Sequence, residues 1–201
     1  QDPDCGAVMH LARSLHMKGL SVTIPHKSGI MAGLDRIDHH ASKIGAVNTV
    51  VFCGERAYGF NTDWIGIREP VHDLRGARAV VIGAGGAAAA AVYALRDLQM
   101  EVTVLNRTKD RAEDLARRLG SHHAPLSAFG TLAPDLVVNA TPLGMDPDRR
   151  SPVPKELLSK EMTVFDLVYT PPDTTLIRDA RAAGCRTITG TEMFIRQACA
   201  Q

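Results

Sequence analysis

The sequence predicts an α/β protein in which a doubly wound parallel sheet follows a partial α/β domain. Three observations support this fold class. Apolar runs typical of buried strands alternate with helical stretches through the second half of the chain. A glycine-rich turn, Gly83–Gly86, follows the first of these runs. The chain of 201 residues, 45% hydrophobic and 22% charged, has the size and composition of a folded globular protein.

Composition excludes several classes of protein. A formal net charge of +1 argues against a nucleic-acid scaffold and against a polybasic membrane binder. No apolar run reaches the length of a membrane span, and we expect no signal peptide. The four cysteines lack C-x-x-C spacing, which is typical of reduced thiols: Cys5, Cys53, Cys185 and Cys199. We therefore expect a cytoplasmic protein.

The first part of the chain reads as short alternating elements. Apolar residues at helical spacing predict a helix over Ala7–Lys18, ended by Gly19. A β run, Leu20–Ile24, stops at a proline, and a helical region over Lys27–Lys43 follows, interrupted near Gly33 and Asp35. These alternating elements predict a small α/β unit.

A hairpin and a short helix come next. The β-rich arms Val47–Phe52 and Arg56–Phe60 predict a hairpin, and Asn61–Asp63 predicts the N-cap of a helix that begins at Trp64. Pro70 and the polar segment up to residue 76 mark a domain boundary. We assign residues 1–70 to a substrate-binding domain, 71–190 to a nucleotide-binding domain and 191–201 to the start of a helix that returns to the first domain.

Beyond this boundary, strands and helices alternate as in parallel βαβ units. The first strand is Ala79–Ile82, and an alanine-rich helix runs to about Leu98. The later strands are predicted at Val102–Leu105, Leu136–Asn139, Thr163–Leu167 and Arg186–Thr189. The later helices are predicted at Arg111–Leu119, Pro154–Leu158 and Thr174–Ala183.

The turn between the first strand and helix fits the dinucleotide-binding pattern G-x-G-x-x-G/A, with Ala88 in the third position. Glycine permits the tight turn, and the helix N-terminus offers N–H groups to a pyrophosphate. A glycine-rich turn without a ligand is the alternative, but the strand–turn–helix context favours a Rossmann-type site. Its candidate cofactor residues are Gly83, Ala84, Gly85, Gly86 and Ala87.

The end of the next strand discriminates between cofactors. NAD enzymes usually carry an acidic residue here, but this chain has Asn106, Arg107 and Thr108, with Arg111 following. Guanidinium groups can hold a 2′-phosphate bidentately, so the sequence favours NADP. Solvated arginines at the start of a helix are the alternative interpretation.

Lys27 and Asp63 are candidates for acid–base chemistry. Lys27 follows a strand and a proline, and Asp63 lies at a helix start, where the helix dipole favours a carboxylate. From spacing alone, a surface lysine and an N-cap are the favoured interpretation.

Neighbouring residues on a helix point in different directions, so the pairs His39–His40 and His122–His123 predict no metal site.

The motifs together resemble the shikimate dehydrogenase family, and the resemblance covers essentially the whole chain. The segments that carry it are Gly19–Lys27, Gly45–Thr49, Gly59–Asp63, Gly83–Ala87, Asn106–Thr108, Asn139–Met145, Asp166–Tyr169 and Gly190 with Met193 and Gln197. The resemblance implies reversible, NADP-dependent reduction of 3-dehydroshikimate to shikimate, in the route to aromatic amino acids.

The resemblance also implies roles for individual residues. Lys27 is similar to the family's catalytic lysine and Asp63 to its partner carboxylate. The residues of this chain that are similar to the family's substrate-binding residues are Thr23, Asn48, Tyr169 and Gln197. Those similar to further cofactor-binding residues are Thr141, Gly190 and Met193. The implied partner is a small-molecule substrate, and neither a nucleic acid nor a membrane is expected as a partner. The implied oligomeric state is a monomer or a homodimer.

Some features depart from the family pattern. The family begins with a strand and a Ser-x-Ser loop, and it ends with a helix that packs on the first domain, so we expect a chain truncated at both ends. Ser21 and Gly190–Phe194 differ from the usual residues, as in a quinate/shikimate dehydrogenase or a paralogue with another substrate preference. A non-catalytic dinucleotide-sensing module is the alternative of another class, although Lys27 and Asp63 are both retained.

Overall fold

The computed structural model describes residues 4–201, in which the backbone contacts define two units. The first unit comprises the residues up to Thr62 together with Gln201, and the second comprises Asp63–Ala200. Each unit has its own sheet. No helix within residues 4–201 combines the length and the apolar character needed to cross a bilayer.

The first unit is built on a four-stranded mixed sheet in the order β1-β3-β4-β2. Its elements are α1 (Cys5–Ser14), β1 (Gly19–Ser21), β2 (Arg36–Ile37), α2 (His39–Ile44), β3 (Thr49–Cys53) and β4 (Arg56–Phe60). β3 and β4 pair antiparallel from Thr49–Phe60 to Cys53–Arg56, which confirms the predicted hairpin. Its core residues are Met9, Ala12, Ile30, Ala41, Val47, Val50, Phe52 and Ala57.

The predicted helical region over Lys27–Lys43 is divided into three elements. A 3-10 helix, Gly29–Gly33, precedes the two-residue strand β2 and the short helix α2. Between them the Asp35 carboxylate accepts a 2.7 Å hydrogen bond from the Ala57 N–H, and Asp38 caps α2 through the His40 N–H. These side-chain contacts hold the backbone outside the helical conformation.

The second unit is a doubly wound parallel sheet, as predicted, and it has six strands in the order β10-β9-β8-β5-β6-β7. Its strands are β5 (Arg78–Ile82), β6 (Glu101–Leu105), β7 (His122–Ala124), β8 (Leu136–Asn139), β9 (Thr163–Asp166) and β10 (Arg186–Ile188). Its helices are α3 (Asp63–Arg68), α4 (Gly86–Asp97), α5 (Lys109–Leu119), α6 (Phe129–Leu132), α7 (Thr175–Ala182) and α8 (Gly190–Cys199). Three 3-10 helices belong to this unit as well, Glu69–Leu74, Leu126–Ala128 and Lys155–Leu157, the last of them within a predicted helix.

The buried central strands explain why the sequence signal was strong in this half. Ala79–Ile82, Leu136–Asn139 and Thr163–Asp166 are buried throughout, as expected for strands covered on both faces. The edge strand β7 was not predicted, because the polar His122–His123 pair gives it no apolar run. These two histidines lie on a strand, so the prediction that they lie on a helix was wrong.

The division between the units falls between Thr62 and Asp63, whereas the sequence placed a boundary at residue 70. The difference arises because α3 packs against α4 and α8 of the second unit. Gly66 makes this approach possible, since a Cβ atom there would lie 2.6 Å from the Met193 carbonyl oxygen. Pro70 and the polar segment after it mark the end of this helical region.

We expect Gly66→Ala to destabilise the second unit by about 1–3 kcal/mol. The added methyl group would meet the backbone of α8, which cannot move without shifting the helix. Urea unfolding followed through Trp64, the single tryptophan, measures the change. Gly130→Ala is the matched control, because a Cβ in helix α6 would meet only the Leu157 side chain at 3.5 Å. Equal stability of the two variants would contradict the close-packing argument.

Candidate active site

The glycine turn after β5 has the geometry of an anion cradle. Gly83 has φ = +119°, and a Cβ there would lie 2.8 Å from the Ala140 carbonyl oxygen, so only glycine fits. Gly85, the N-cap of α4, is exposed, and a Cβ there would have no neighbour within 4 Å. No side chain caps the first N–H groups of α4. The turn therefore fits a dinucleotide pyrophosphate, with Gly86, Ala84 and Ala87 half-buried around it.

A groove of about 560 Å³ lies beside the turn that follows β6. Asn106 and Arg107 line it, and the Asn106 Nδ2 donates a 2.9 Å hydrogen bond to the Thr108 carbonyl oxygen. Arg107, Thr108 and Arg111 are exposed. The groove is thus lined by Arg107, one of the two arginines that the sequence predicted for a 2′-phosphate.

Sequence reasoning missed other residues of this groove. Lys109 lines it, and its position between two predicted site arginines could have indicated that. His123 and Ser127 also line it, but they come from the far side, where β7 ends. No local motif connects these two residues with Arg107, so only the parallel pairing of β6 with β7 brings them together.

A buried hydrogen-bond network joins the loops that follow β8 and β9. Asp166, which has no exposed surface, accepts hydrogen bonds from the Asn139 Nδ2 at 2.9 Å, the Val168 N–H at 3.0 Å and the Thr174 hydroxyl at 2.6 Å. Burial raises the pKa of the Asp166 carboxyl, and the three donors offset only part of that effect. Asn139 and Asp166 lie within the motifs that carry the family resemblance, but the sequence alone predicted no role for either residue.

The Asn139 end of this network holds Thr141, a predicted cofactor residue. The Thr141 N–H and hydroxyl donate to the Asn139 Oδ1 at 3.0 and 2.7 Å, and the Leu143 N–H donates to the Thr141 Oγ1 at 3.1 Å. The Val168 and Thr174 contacts hold the other loop on both sides of Tyr169. The network therefore positions two predicted site residues from one buried carboxyl.

Helix α8 presents the remaining predicted residues of the second unit. A side chain at Gly190 would clash with the Val168 carbonyl oxygen, so α8 begins directly against the loop after β9. Met193 and Gln197 are buried on one face of α8, and Gln197 contacts Gly66 of α3. Asp63 is the first residue of α3 and is 2% exposed. Helix α3 thus begins one residue before Trp64, the start that the sequence predicted.

The predicted residues of the first unit lie near the carboxyl end of β1 and before β3. The Val22 N–H donates to the Asn48 carbonyl oxygen at 2.7 Å, and the Val47 N–H donates to the Lys27 carbonyl oxygen at 2.8 Å. These bonds bring the Lys27 and Asn48 segments side by side. Lys27 is half-buried and Thr23 is exposed.

The Asn48 side chain is held firmly. Its Nδ2 donates to the Thr62 Oγ1 at 2.9 Å, while its Oδ1 accepts from the Thr62 N–H at 2.9 Å and from the Thr49 hydroxyl at 2.7 Å. Asn61 is anchored in turn by a 2.9 Å bond to the Ala46 carbonyl oxygen. The amide is therefore preorganised by the segment that leads into Asp63.

In the second unit, most of the predicted residues share one edge of the sheet. They follow β5 (Gly83–Ala87), β6 (Asn106–Arg111), β8 (Thr141), β9 (Tyr169) and β10 (Gly190). The carboxyl edge of a doubly wound sheet is where such folds bind ligands. Groups of three or more possible metal-ligating side chains are absent from residues 4–201.

Comparisons with known proteins identify relatives over the whole chain. The profile of the shikimate dehydrogenase substrate binding domain matches residues 2–50, and that of shikimate / quinate 5-dehydrogenase matches residues 67–144. The chain is 41% identical over 198 residues to the shikimate dehydrogenase (NADP(+)) of Maridesulfovibrio salexigens, covering 96% of this chain and 73% of that protein.

Solved structures are similar in fold as well. The shikimate 5-dehydrogenase of Thermus thermophilus, in complex with NADP(H) and shikimate, aligns with a TM-score of 0.89 at 37% identity, over 97% of this chain and 75% of that one. The quinate dehydrogenase of Corynebacterium glutamicum, in complex with NAD, also aligns with a TM-score of 0.89, at 32% identity and over 98% and 76% of the two chains.

Proposed function

The chain belongs to the shikimate dehydrogenase family, and we propose that Lys27 and Asp63 form the acid–base pair of its reaction. The reaction is the NADP-dependent, reversible reduction of 3-dehydroshikimate to shikimate. The observation that carries this function is the arrangement of predicted residues along the carboxyl edge of the parallel sheet.

The residues of the second unit fit a bound dinucleotide. The unobstructed turn at Gly85 would hold the pyrophosphate against the N-terminus of α4, and Arg107 with Lys109 would hold the 2′-phosphate in the groove beside β6. Bound NADPH supplies the hydride that reduces the ketone. Thr141, Gly190 and Met193 would complete the site at the ends of β8 and β10.

The proton chemistry belongs to Lys27 and Asp63. We assign to the Lys27 Nζ the donation of a proton to the ketone oxygen as it becomes a hydroxyl, and its recovery in the reverse direction. We assign the Asp63 carboxylate, buried in the first turn of α3, to the reaction as the partner of Lys27. A positioned proton donor of this kind typically contributes about 10²–10⁴-fold to a rate.

The remaining residues would hold the substrate. Asn48, with its amide fixed by Thr62, and Thr23 offer polar groups to the substrate hydroxyls. Tyr169 and Gln197 would offer a phenol and an amide from the second unit. Such preorganised groups orient the substrate before reaction, which is the main contribution of the protein to hydride transfer.

Quinate is the second candidate substrate, because a quinate dehydrogenase aligns with the same TM-score, 0.89, as the shikimate 5-dehydrogenase of Thermus thermophilus. Following NADPH absorbance with 3-dehydroshikimate and with 3-dehydroquinate, each repeated with NADH, tests the choice. NADPH-dependent turnover of 3-dehydroshikimate supports the proposed function. Dinucleotide binding without turnover of either acid would instead favour the sensing module. The cytoplasmic location and the choice between monomer and homodimer stay predictions.

We expect Arg107→Ala to weaken NADPH binding by about 10–100-fold and to leave NADH binding unchanged. A charge-assisted hydrogen bond to the 2′-phosphate contributes about 1.5–3 kcal/mol, and NADH lacks that phosphate. Fluorescence titration with each reduced dinucleotide measures both affinities.

Arg117→Ala is the control for Arg107→Ala, since Arg117 is an exposed arginine on α5 that pairs with Asp114. This control should bind both dinucleotides as the unchanged chain does. An equal loss of NADPH and NADH binding in Arg107→Ala would remove Arg107 from the phosphate site.

A further inference from the structure

An exposed pair of stacked aromatic rings lies beside the proposed substrate site. The ring centroids of Tyr169 and Phe194 are 4.9 Å apart, with an interplanar angle of 27°. Both side chains remain partly open to solvent, at 48% and 44% exposure. Stacking in this geometry orients the two rings relative to each other, although neither ring is buried in a core.

The helix that carries Phe194 is well anchored. Thr189 and Glu192 form a capping box at the start of α8, in which the Thr189 N–H donates to the Glu192 Oε1 at 3.2 Å. Met193 and Gln197 are buried along α8, and the start of α8 lies directly against Val168. Phe194 therefore stands on a fixed support.

The segment that carries Tyr169 is a loop held at its two ends. Asp166 accepts hydrogen bonds from the Val168 N–H and from the Thr174 hydroxyl, and Tyr169 lies between these two anchors. The backbone of the loop is thus held in place, while the orientation of the exposed Tyr169 ring depends on the Phe194 ring that it stacks against.

We propose that Phe194 is a positioning residue, which orients the Tyr169 ring so that its hydroxyl faces the bound substrate. This inference rests on the proposed function, which assigns Tyr169 to substrate binding. Phe194 acts through Tyr169 and touches no reacting atom. The stack would then influence how tightly shikimate is bound, and not the rate of the chemical step.

Replacing Phe194 by leucine tests the stack. We expect Phe194→Leu to raise the KM for shikimate by about threefold to tenfold, the effect of losing one aromatic pair, with kcat changed by less than about twofold. Phe194→Tyr should restore the KM, because it keeps a stacking ring. Ile195→Ala is the matched control, since Ile195 is a 56% exposed neighbour on the same helix.

A double-mutant cycle separates positioning from a general structural effect. In a Tyr169→Ala background, Phe194→Leu should raise the KM no further, because the ring that it orients is absent. Additive effects in the cycle, or no restoration by Phe194→Tyr, would overturn the inference while leaving the proposed function intact. An unmodified chain that shows no turnover of shikimate would overturn the proposed function and this inference with it.

Discussion

Lys27→Ala is expected to lower the kcat for reduction of 3-dehydroshikimate by about 10²–10⁴-fold, the usual contribution of a positioned proton donor. The ketone oxygen must gain a proton as the hydride arrives, and alanine supplies none. The binding of NADPH should be unchanged, because its proposed contacts lie in the second unit whereas Lys27 lies in the first. Steady-state kinetics and a fluorescence titration of NADPH measure the two effects separately.

Two variants sharpen the Lys27→Ala test. Lys43→Ala removes an exposed lysine of the same unit, on α2, and should keep full activity. Asp63→Asn keeps the size of the side chain at the start of α3 but removes its charge, and it should also lower kcat strongly. Full activity in both Lys27→Ala and Asp63→Asn would show that the proton comes from another group.

Asp166→Ala is expected to destabilise the second unit by about 3–5 kcal/mol. The substitution removes an acceptor from three buried donors: the Asn139 Nδ2, which also donates to the Leu143 carbonyl oxygen, the Val168 N–H and the Thr174 hydroxyl. Each unsatisfied donor costs about 1–3 kcal/mol, and relaxation of the two loops limits the sum. Urea unfolding followed through Trp64 fluorescence measures the loss.

The control for Asp166→Ala is Asp173→Ala, in the same loop. Asp173 is 51% exposed and pairs with Arg181 at 2.8 Å, an arrangement that contributes at most about 1 kcal/mol. A loss of stability in Asp166→Ala no larger than that in Asp173→Ala would contradict a structural role for the buried network.

The effect of Asp166 should also depend on pH. Because burial raises the pKa of this carboxyl, the folded chain binds its proton up to a higher pH than the unfolded chain does. Its contribution to stability is therefore largest below the ordinary value of about 3.9 and falls as the pH rises through the folded pKa. The difference between the unchanged chain and Asp166→Ala should thus be smaller at pH 7 than at pH 4.

Much of the second unit could be predicted because its signals are local. Ala79–Ile82 is an uninterrupted apolar strand, and the glycines that follow it satisfy a turn whose steric demands are set within a few residues. The same is true of Asn106–Thr108, whose position after the next strand follows from strand–helix alternation. Here the sequence determined the alternation of strands and helices and the place of the cofactor turn.

The first unit was harder to predict, because its elements are short and depend on distant partners. β2 contains only Arg36 and Ile37, and it exists through pairing with Tyr58 and Gly59 of β4. Asp35, which the sequence marked only as an interruption, is bound to the Ala57 N–H. Contacts across more than twenty residues of chain leave no periodic pattern for a local reading.

The sequence by itself determined the fold class and the place of the glycine turn, and it predicted the set of residues that the family would use. Only the tertiary structure joined Asn139 to Asp166, stacked Phe194 on Tyr169, and packed Gly66 against α8. The physical reason is distance along the chain. A turn or a cap depends on neighbouring residues, whereas these contacts depend on how strands and helices far apart in the sequence pair and pack.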